Sequence, residues 1–186
     1  MKKLLLAAVL AAVWALSGTA WAEASTAVEA TATEAPVFSE ADAPYEGIWQ
    51  PFEDGFQLYL PREWSAIEVT DVQAEAGLFY RAGSGDGTTG IAVGYMSARS
   101  LDTVDALAQD FRRTGYSAVK AGWLNGIPAI RFDRPEDDYC GVAFFHPAYP
   151  DYVLYVYLSP RDSDEGEALL ASVTPLPDFT GQVKNY

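Results

Sequence analysis

From Phe56 to Leu60 the chain alternates with a period of two, Phe56, Leu58 and Leu60 interleaving with Gln57 and Tyr59, until Pro61 stops the run. That alternation predicts a half-buried strand. Trp64 to Thr70 reads as a second strand after the proline corner. Leu78 to Ala82 and Ile91 to Ala98 read as two more, joined by the glycine-dense loop Gly83-Ser84-Gly85-Asp86-Gly87-Thr88-Thr89-Gly90. The front of the folded region is therefore expected to be an antiparallel meander. The period then changes, because Leu101, Val104, Leu107, Ala108 and Phe111 fall at helical spacing. Ser100 is the expected N-cap, Asp102 and Asp105 lie in the early turns, and Arg112, Arg113 and Gly115 mark the end.

Tyr116 to Leu124 and Ile127 to Asp133 flank Asn125-Gly126. Both central residues of a type I′ turn need positive φ, so this dipeptide predicts a tight hairpin. Tyr139 to Phe145 and Tyr152 to Ser159 supply two last strands around Pro147-Ala148-Tyr149-Pro150-Asp151. In Tyr152 to Leu158 both alternating faces are apolar, which predicts a central strand covered on each side. A second helix, capped by Asp162 with Glu165 three residues on, turns Leu169, Leu170 and Val173 inward and is expected to cover the face the first helix leaves open. The expected fold class is α+β, an antiparallel sheet of about six to eight strands flanked by two helices.

Ahead of this region the pattern is different in kind. Lys2 and Lys3, the apolar run Leu4 to Leu16 and the small-residue site Ala20-Trp21-Ala22 predict a cleavable signal peptide over residues 1–22. A helix of about 13 residues rises only about 20 Å, short of a hydrocarbon core of roughly 30 Å, so no membrane span is expected after cleavage. The expected location is secreted or periplasmic, within the cell envelope, with cleavage after Ala22. Residues 23–44 hold no base and few large apolar groups, and read as a disordered acidic linker whose extended reach is at most about 75 Å. Residues 45–186 then read as one α+β domain, large enough to bury a core without covalent staples.

The whole chain has 12 basic and 26 acidic residues and a formal charge of −14; without Lys2 and Lys3 the charge is −16. Such a field repels phosphate backbones and anionic headgroups, which argues against nucleic acid as a partner. Cys140 is the only cysteine, so no intramolecular disulfide forms, and its apolar neighbours predict a small buried hydrophobe, a reactive or intermolecular thiol being the alternative.

Asp54-Gly55-Phe56-Gln57-Leu58-Tyr59-Leu60-Pro61-Arg62-Glu63-Trp64 resembles the G-F-x-L-x-x-P-x-x-W opening of PsbP-like and DcrB-like domains, and the order of elements from Tyr45 to Val173 is similar to theirs. The chain is also similar to uncharacterised exported proteins of anaerobic gut bacteria. The resemblance implies an α-β-α sandwich and a noncatalytic accessory or assembly role. It brings no catalytic motif with it.

The residues offer little assembled chemistry. His146 is the only histidine. Six residues from Cys140, it lies about 20 Å away on a continuous strand, too far for a dyad. No G-x-S-x-G stands in the chain, Ser84 having Ala82 and Asp86 at the two glycine positions. Zinc needs several Cys or His ligands. Calcium has weak candidates in Glu136, Asp137 and Asp138, and less so in Asp162-Ser163-Asp164-Glu165, without the spacing of a calcium loop. Gly83 to Gly90 lacks the lysine and following helix of a phosphate loop. Trp49, Trp64 and Trp123 are expected first as core and only second as a groove lining. No cofactor is implied, and no catalytic residue is singled out. The expected function is an exported noncatalytic binding or accessory module whose partner is an unidentified protein or envelope component. The alternatives are a small extracellular hydrolase using carboxylates on a polymer, and a calcium-stabilised domain.

Overall fold

The computed structural model describes residues 37–99 and 101–176. The expected signal peptide, most of the expected linker, Ser100 and residues 177–186 lie outside the described residues. Along the described chain run β1 (Gly47–Phe52), β2 (Phe56–Pro61), β3 (Ser65–Ala66), α1 (Asp71–Glu75), β4 (Leu78–Gly83), β5 (Gly90–Ser97) and α2 (Val104–Arg113). There follow β6 (Ser117–Leu124), β7 (Ile127–Arg134), β8 (Tyr139–Phe145), β9 (Tyr152–Ser159), α3 (Asp164–Ala171) and β10 (Thr174–Pro175). The strands form a seven-stranded antiparallel sheet in the order β3-β4-β5-β9-β8-β7-β6 and a three-stranded one in the order β1-β2-β10. Among the described residues no helix is long and apolar enough to cross a membrane.

β9 lies in the middle of the large sheet, as its two apolar faces require. Leu154, Val156 and Leu158 point to one side, where they join Ile91, Val93, Val142 and Phe144 beneath Phe56, Leu58 and the α3 residues Leu169 and Leu170. Val153 points to the other side, packing with Ala143, Ile130 and Phe132 against Leu107, Ala108 and Phe111 of α2. The two longer helices thus cover opposite faces, and the small sheet shares its side with α3. Each large side chain withdrawn from water contributes about 1.5–3 kcal/mol, which explains why this domain forms around one free cysteine.

The expected front meander needs correction. Phe56–Pro61 does not continue into the large sheet; it pairs with β1 from Gly47↔Pro61 to Phe52↔Phe56. β1 carries no strand signature in the sequence, because Pro51 interrupts it and its burial does not alternate. A proline is tolerated there because β1 is an edge strand that can forgo one donor. Of the strand expected over Trp64 to Thr70 only Ser65–Ala66 pairs. Thr70 instead caps α1, accepting from the Gln73 N–H while the Gln73 side chain accepts from the Thr70 N–H, a reciprocal box that competes with extended pairing. The cap of α2 is Thr103, whose hydroxyl accepts from the Ala106 N–H, so the helix begins three residues later than Leu101. The cap of α3 is Ser163, one residue beyond Asp162, accepting from the Gly166 N–H.

The end of the expected linker is also ordered onto the domain. Phe38 packs its ring 5.9 Å from Trp49 and 5.7 Å from Tyr59, and its N–H donates to Asn125 Oδ1 at 2.7 Å. Asn125 has φ 48° and Gly126 φ 85°, the type I′ geometry the dipeptide predicts. Asn125 Nδ2 also donates to the carbonyls of Ala171 (2.6 Å) and Val173 (2.8 Å). One turn residue therefore joins the β6–β7 hairpin, the end of α3 and the incoming chain. The two edges of the large sheet differ, β3 being two residues long and β6 eight. β6 carries a register shift between Ser117 and Lys120 and a left-handed Ala118, φ 49°.

Candidate binding groove

α2 packs over β6 and β7, so it covers only half of its face of the large sheet. Over the other half the sequence places tyrosines. Tyr155 and Tyr157 of β9 point to the α2 side because they alternate with Leu154, Val156 and Leu158. Tyr139 begins β8, and Tyr116 follows the end of α2. Together with Leu78, Met96, Phe111 and Phe132 these four rings line a groove of about 540 Å³, within the range of small-molecule sites. The rings of Tyr155 and Tyr157 are 5.9 Å apart and nearly parallel at 16°, and that of Tyr139 lies 5.1 Å from Tyr157.

Small residues let these rings lie low on the sheet. A Cβ on Gly94 would stand 2.5 Å from the Tyr155 hydroxyl oxygen and 2.8 Å from the Gly77 carbonyl, both far inside van der Waals contact. The wall at Tyr116 is braced by charge. The Arg134 guanidinium sits 5.3 Å from its ring centroid, a cation–π distance, and Arg134 Nε lies 2.7 Å from Asp137 Oδ2. The Tyr139 hydroxyl donates to that of Tyr116 at 3.4 Å.

Burial pushes the Tyr155 phenol up to about 12 and raises those of Tyr139 and Tyr157, the last partly opposed by Arg81. At neutral pH these hydroxyls are therefore uncharged donors. A phenol whose folded-state pKa is raised stabilises the fold fully below its unfolded value, near 10, and loses that contribution as pH rises through the folded value. The melting temperature should thus be flat from about pH 8 to 9.5 and fall steeply between about pH 10 and 12. Tyr155→Phe should reduce the slope in that window, as read by circular dichroism. An unchanged slope would show that Tyr155 ionises freely in the fold.

A second cavity of about 280 Å³ adjoins the groove along Tyr157 and Ser159, and Arg81, Gln73, Thr88 and Thr89 also line it. Arg81 Nη1 donates to Gln73 Oε1 at 3.3 Å. The glycine-dense loop beside it is closed by Asp86, which accepts from the Ser84 hydroxyl (2.6 Å), the Thr88 hydroxyl (2.8 Å) and the Thr88 N–H (3.1 Å). These bonds, that from Ser84 foremost, hold the Asp86 carboxyl down at about 2.

The residues singled out from the sequence lie elsewhere. His146 is buried, its Nδ1 accepting from the N–H groups of Ala148 (3.0 Å) and Tyr149 (3.2 Å) while Nε2 faces Asp54 Oδ1 at 3.2 Å. Two backbone donors on Nδ1 leave the proton on Nε2, so this histidine clamps the β8–β9 turn to the β1–β2 turn. Cys140 is buried, its Sγ 3.6 Å from the Arg161 carbonyl oxygen, and burial raises its thiol to about 11, which keeps it protonated. Glu136 and Asp137 belong to a short 3-10 turn, Pro135–Asp137, and Asp138 follows with φ 51°. Asp137 pairs with Arg134, and Asp138 lies 3.9 Å from Arg161. Among the described residues no three His, Cys, Asp or Glu side chains converge as a metal site would require.

The tryptophans divide. Trp64 is core, Trp49 is half-buried against Phe38 and Tyr59, and Trp123 is 59 % exposed on β6, a correction to its reading as core. None of the three lines the groove. The signal that points to it is the same-parity pair Tyr155 and Tyr157 on a central strand, polar-tipped rings where a fully covered strand would carry aliphatic groups. No protein-family model, curated protein or solved structure matches this chain.

Proposed function

We propose that this chain is an exported, noncatalytic binding module acting in the cell envelope or outside the cell, and that its ligand lies in the tyrosine groove. The observation that carries this reading is the groove itself: four phenols and mainly apolar side chains around about 540 Å³, on a face half left open by α2, with the one lining carboxylate, Asp137, paired to Arg134. Large apolar walls with a few placed donors suit retention of a ligand. General acid–base work needs titratable groups within reach of a reacting atom. The one histidine is committed to two backbone N–H groups and to Asp54, which favours binding over the hydrolase reading. The PsbP-like assignment belongs to the same proposal and rests on the Asp54–Trp64 opening of the domain.

The test is titration of the mature chain with phenylnaphthylamine, a neutral apolar fluorophore. Saturable binding is expected, weakened about tenfold by Tyr157→Ala. That factor corresponds to about 1.4 kcal/mol, the scale of one aromatic contact. Tyr149→Ala, outside the groove, should leave it unchanged. No saturable binding, or binding indifferent to Tyr157, would overturn the proposal.

A further inference from the structure

Arg81 stands apart from the other bases. Among the described residues no carboxylate lies within 4.0 Å of it. The same holds for Arg62, Arg99, Arg112 and Lys120, but those four are exposed, whereas Arg81 is half-buried. In a chain with 26 acidic residues, a partly desolvated guanidinium left with one neutral amide is unusual. Withdrawing a cation from water costs free energy unless an anion or several acceptors compensate it. Gln73 Oε1, at 3.3 Å, supplies one acceptor for a group with five N–H donors.

The surroundings of Arg81 fit an anionic oxygen group. Thr89, Ser159 and Tyr157 line the same cavity and bring hydroxyls that can donate to an acceptor, whereas the Thr88 hydroxyl is already given to Asp86. Tyr157 and Ser159 also line the tyrosine groove, so the charged cavity adjoins the apolar one. At the far end of that groove Arg134 is already neutralised by Asp137. Only the Arg81 end therefore has a cation to offer.

We infer that the groove takes an amphipathic carboxylate, an aryl or alkyl body lying along Tyr139, Tyr155 and Tyr157 with its carboxylate on the Arg81 guanidinium. This deepens the proposed binding role and rests on it. The overall negative charge does not forbid such a ligand, because exposed charges beyond about 8–10 Å are screened at physiological ionic strength, while a guanidinium–carboxylate contact is a short charge-assisted pair.

The experiment is calorimetric titration of the full mature chain with phenylbutyrate and decanoate, each beside its alcohol, phenylbutanol and decanol. The acids should bind at least about tenfold more tightly than the alcohols, about 1.4 kcal/mol. Arg81→Gln should erase that preference while leaving the alcohols bound as before, which also reports an intact groove. Arg81→Lys should restore part of it. Acids and alcohols binding equally, or a preference that survives Arg81→Gln, would overturn the inference and leave the groove reading standing. Failure of all four compounds to bind would overturn both.

Discussion

Phe144→Ala is expected to lower the unfolding free energy by about 3–5 kcal/mol, the cost of emptying a fully enclosed aromatic site. Phe144 is 0 % exposed on β8, and its ring meets that of Phe56 edge-on at 5.4 Å. It therefore fills the space between the large sheet and the small one, where Phe56, Leu58 and Leu154 are also fully buried. These neighbours belong to two strands, β2 and β9, each held in a ladder, so they cannot close the hole without breaking pairing. Urea denaturation should show a lower midpoint with an unchanged slope. Phe145→Ala, one residue on and half-buried on the other face, should cost distinctly less. A loss below about 1 kcal/mol for Phe144→Ala would mean that the two sheets do not share a close-packed core.

Asn125→Asp is expected to cost about 3 kcal/mol, although it changes one atom and tolerates the same positive φ. The carboxylate keeps the acceptor for the Phe38 N–H but loses the amide that donates to the carbonyls of Ala171 and Val173. Two carbonyl oxygens then face an anion at a site only 9 % exposed. The penalty should shrink as pH falls, because a protonated carboxyl can donate one of the missing bonds. Asn125→Gly keeps the turn and removes the side chain, so its cost should be smaller. Thermal melts of the three proteins at acidic and neutral pH decide the matter. A pH-independent Asn125→Asp would show that the amide's bonds to the α3 end contribute little.

Much of this architecture is legible in the chain because short-range physics fixes it. The apolar runs of β8 and β9 and the Asn125-Gly126 turn each specify themselves, and two helices with one apolar face each must end on opposite sides of a strand that is apolar on both. What escaped is what depends on partners distant in sequence. β1 contains Pro51 and becomes a strand only because β2 lies beside it. Phe38 looks like part of an unstructured stretch until Asn125, 87 residues away, accepts its N–H. The helix starts moved by one to three residues because Ser, Thr and Asp cap almost equally well, and the competition is settled by where the strands end. The groove was hidden for a similar reason. Each tyrosine by itself reads as core, and only the partial cover given by α2 and the absence of a side chain at Gly94 leave four of them lining a cavity.

The eight-residue margin at β6 has a consequence for behaviour in concentrated solution. A long row of free N–H and C=O groups is a template on which a second molecule could lay its own backbone and begin a fibre. Here the left-handed kink at Ala118 breaks the straight line that such stacking requires, and Lys120 sets a charge in the middle of it. The opposite margin, two residues at β3, is too short to recruit anything. The sheet is thereby made finite, a pleated layer that stops growing at its own seventh strand.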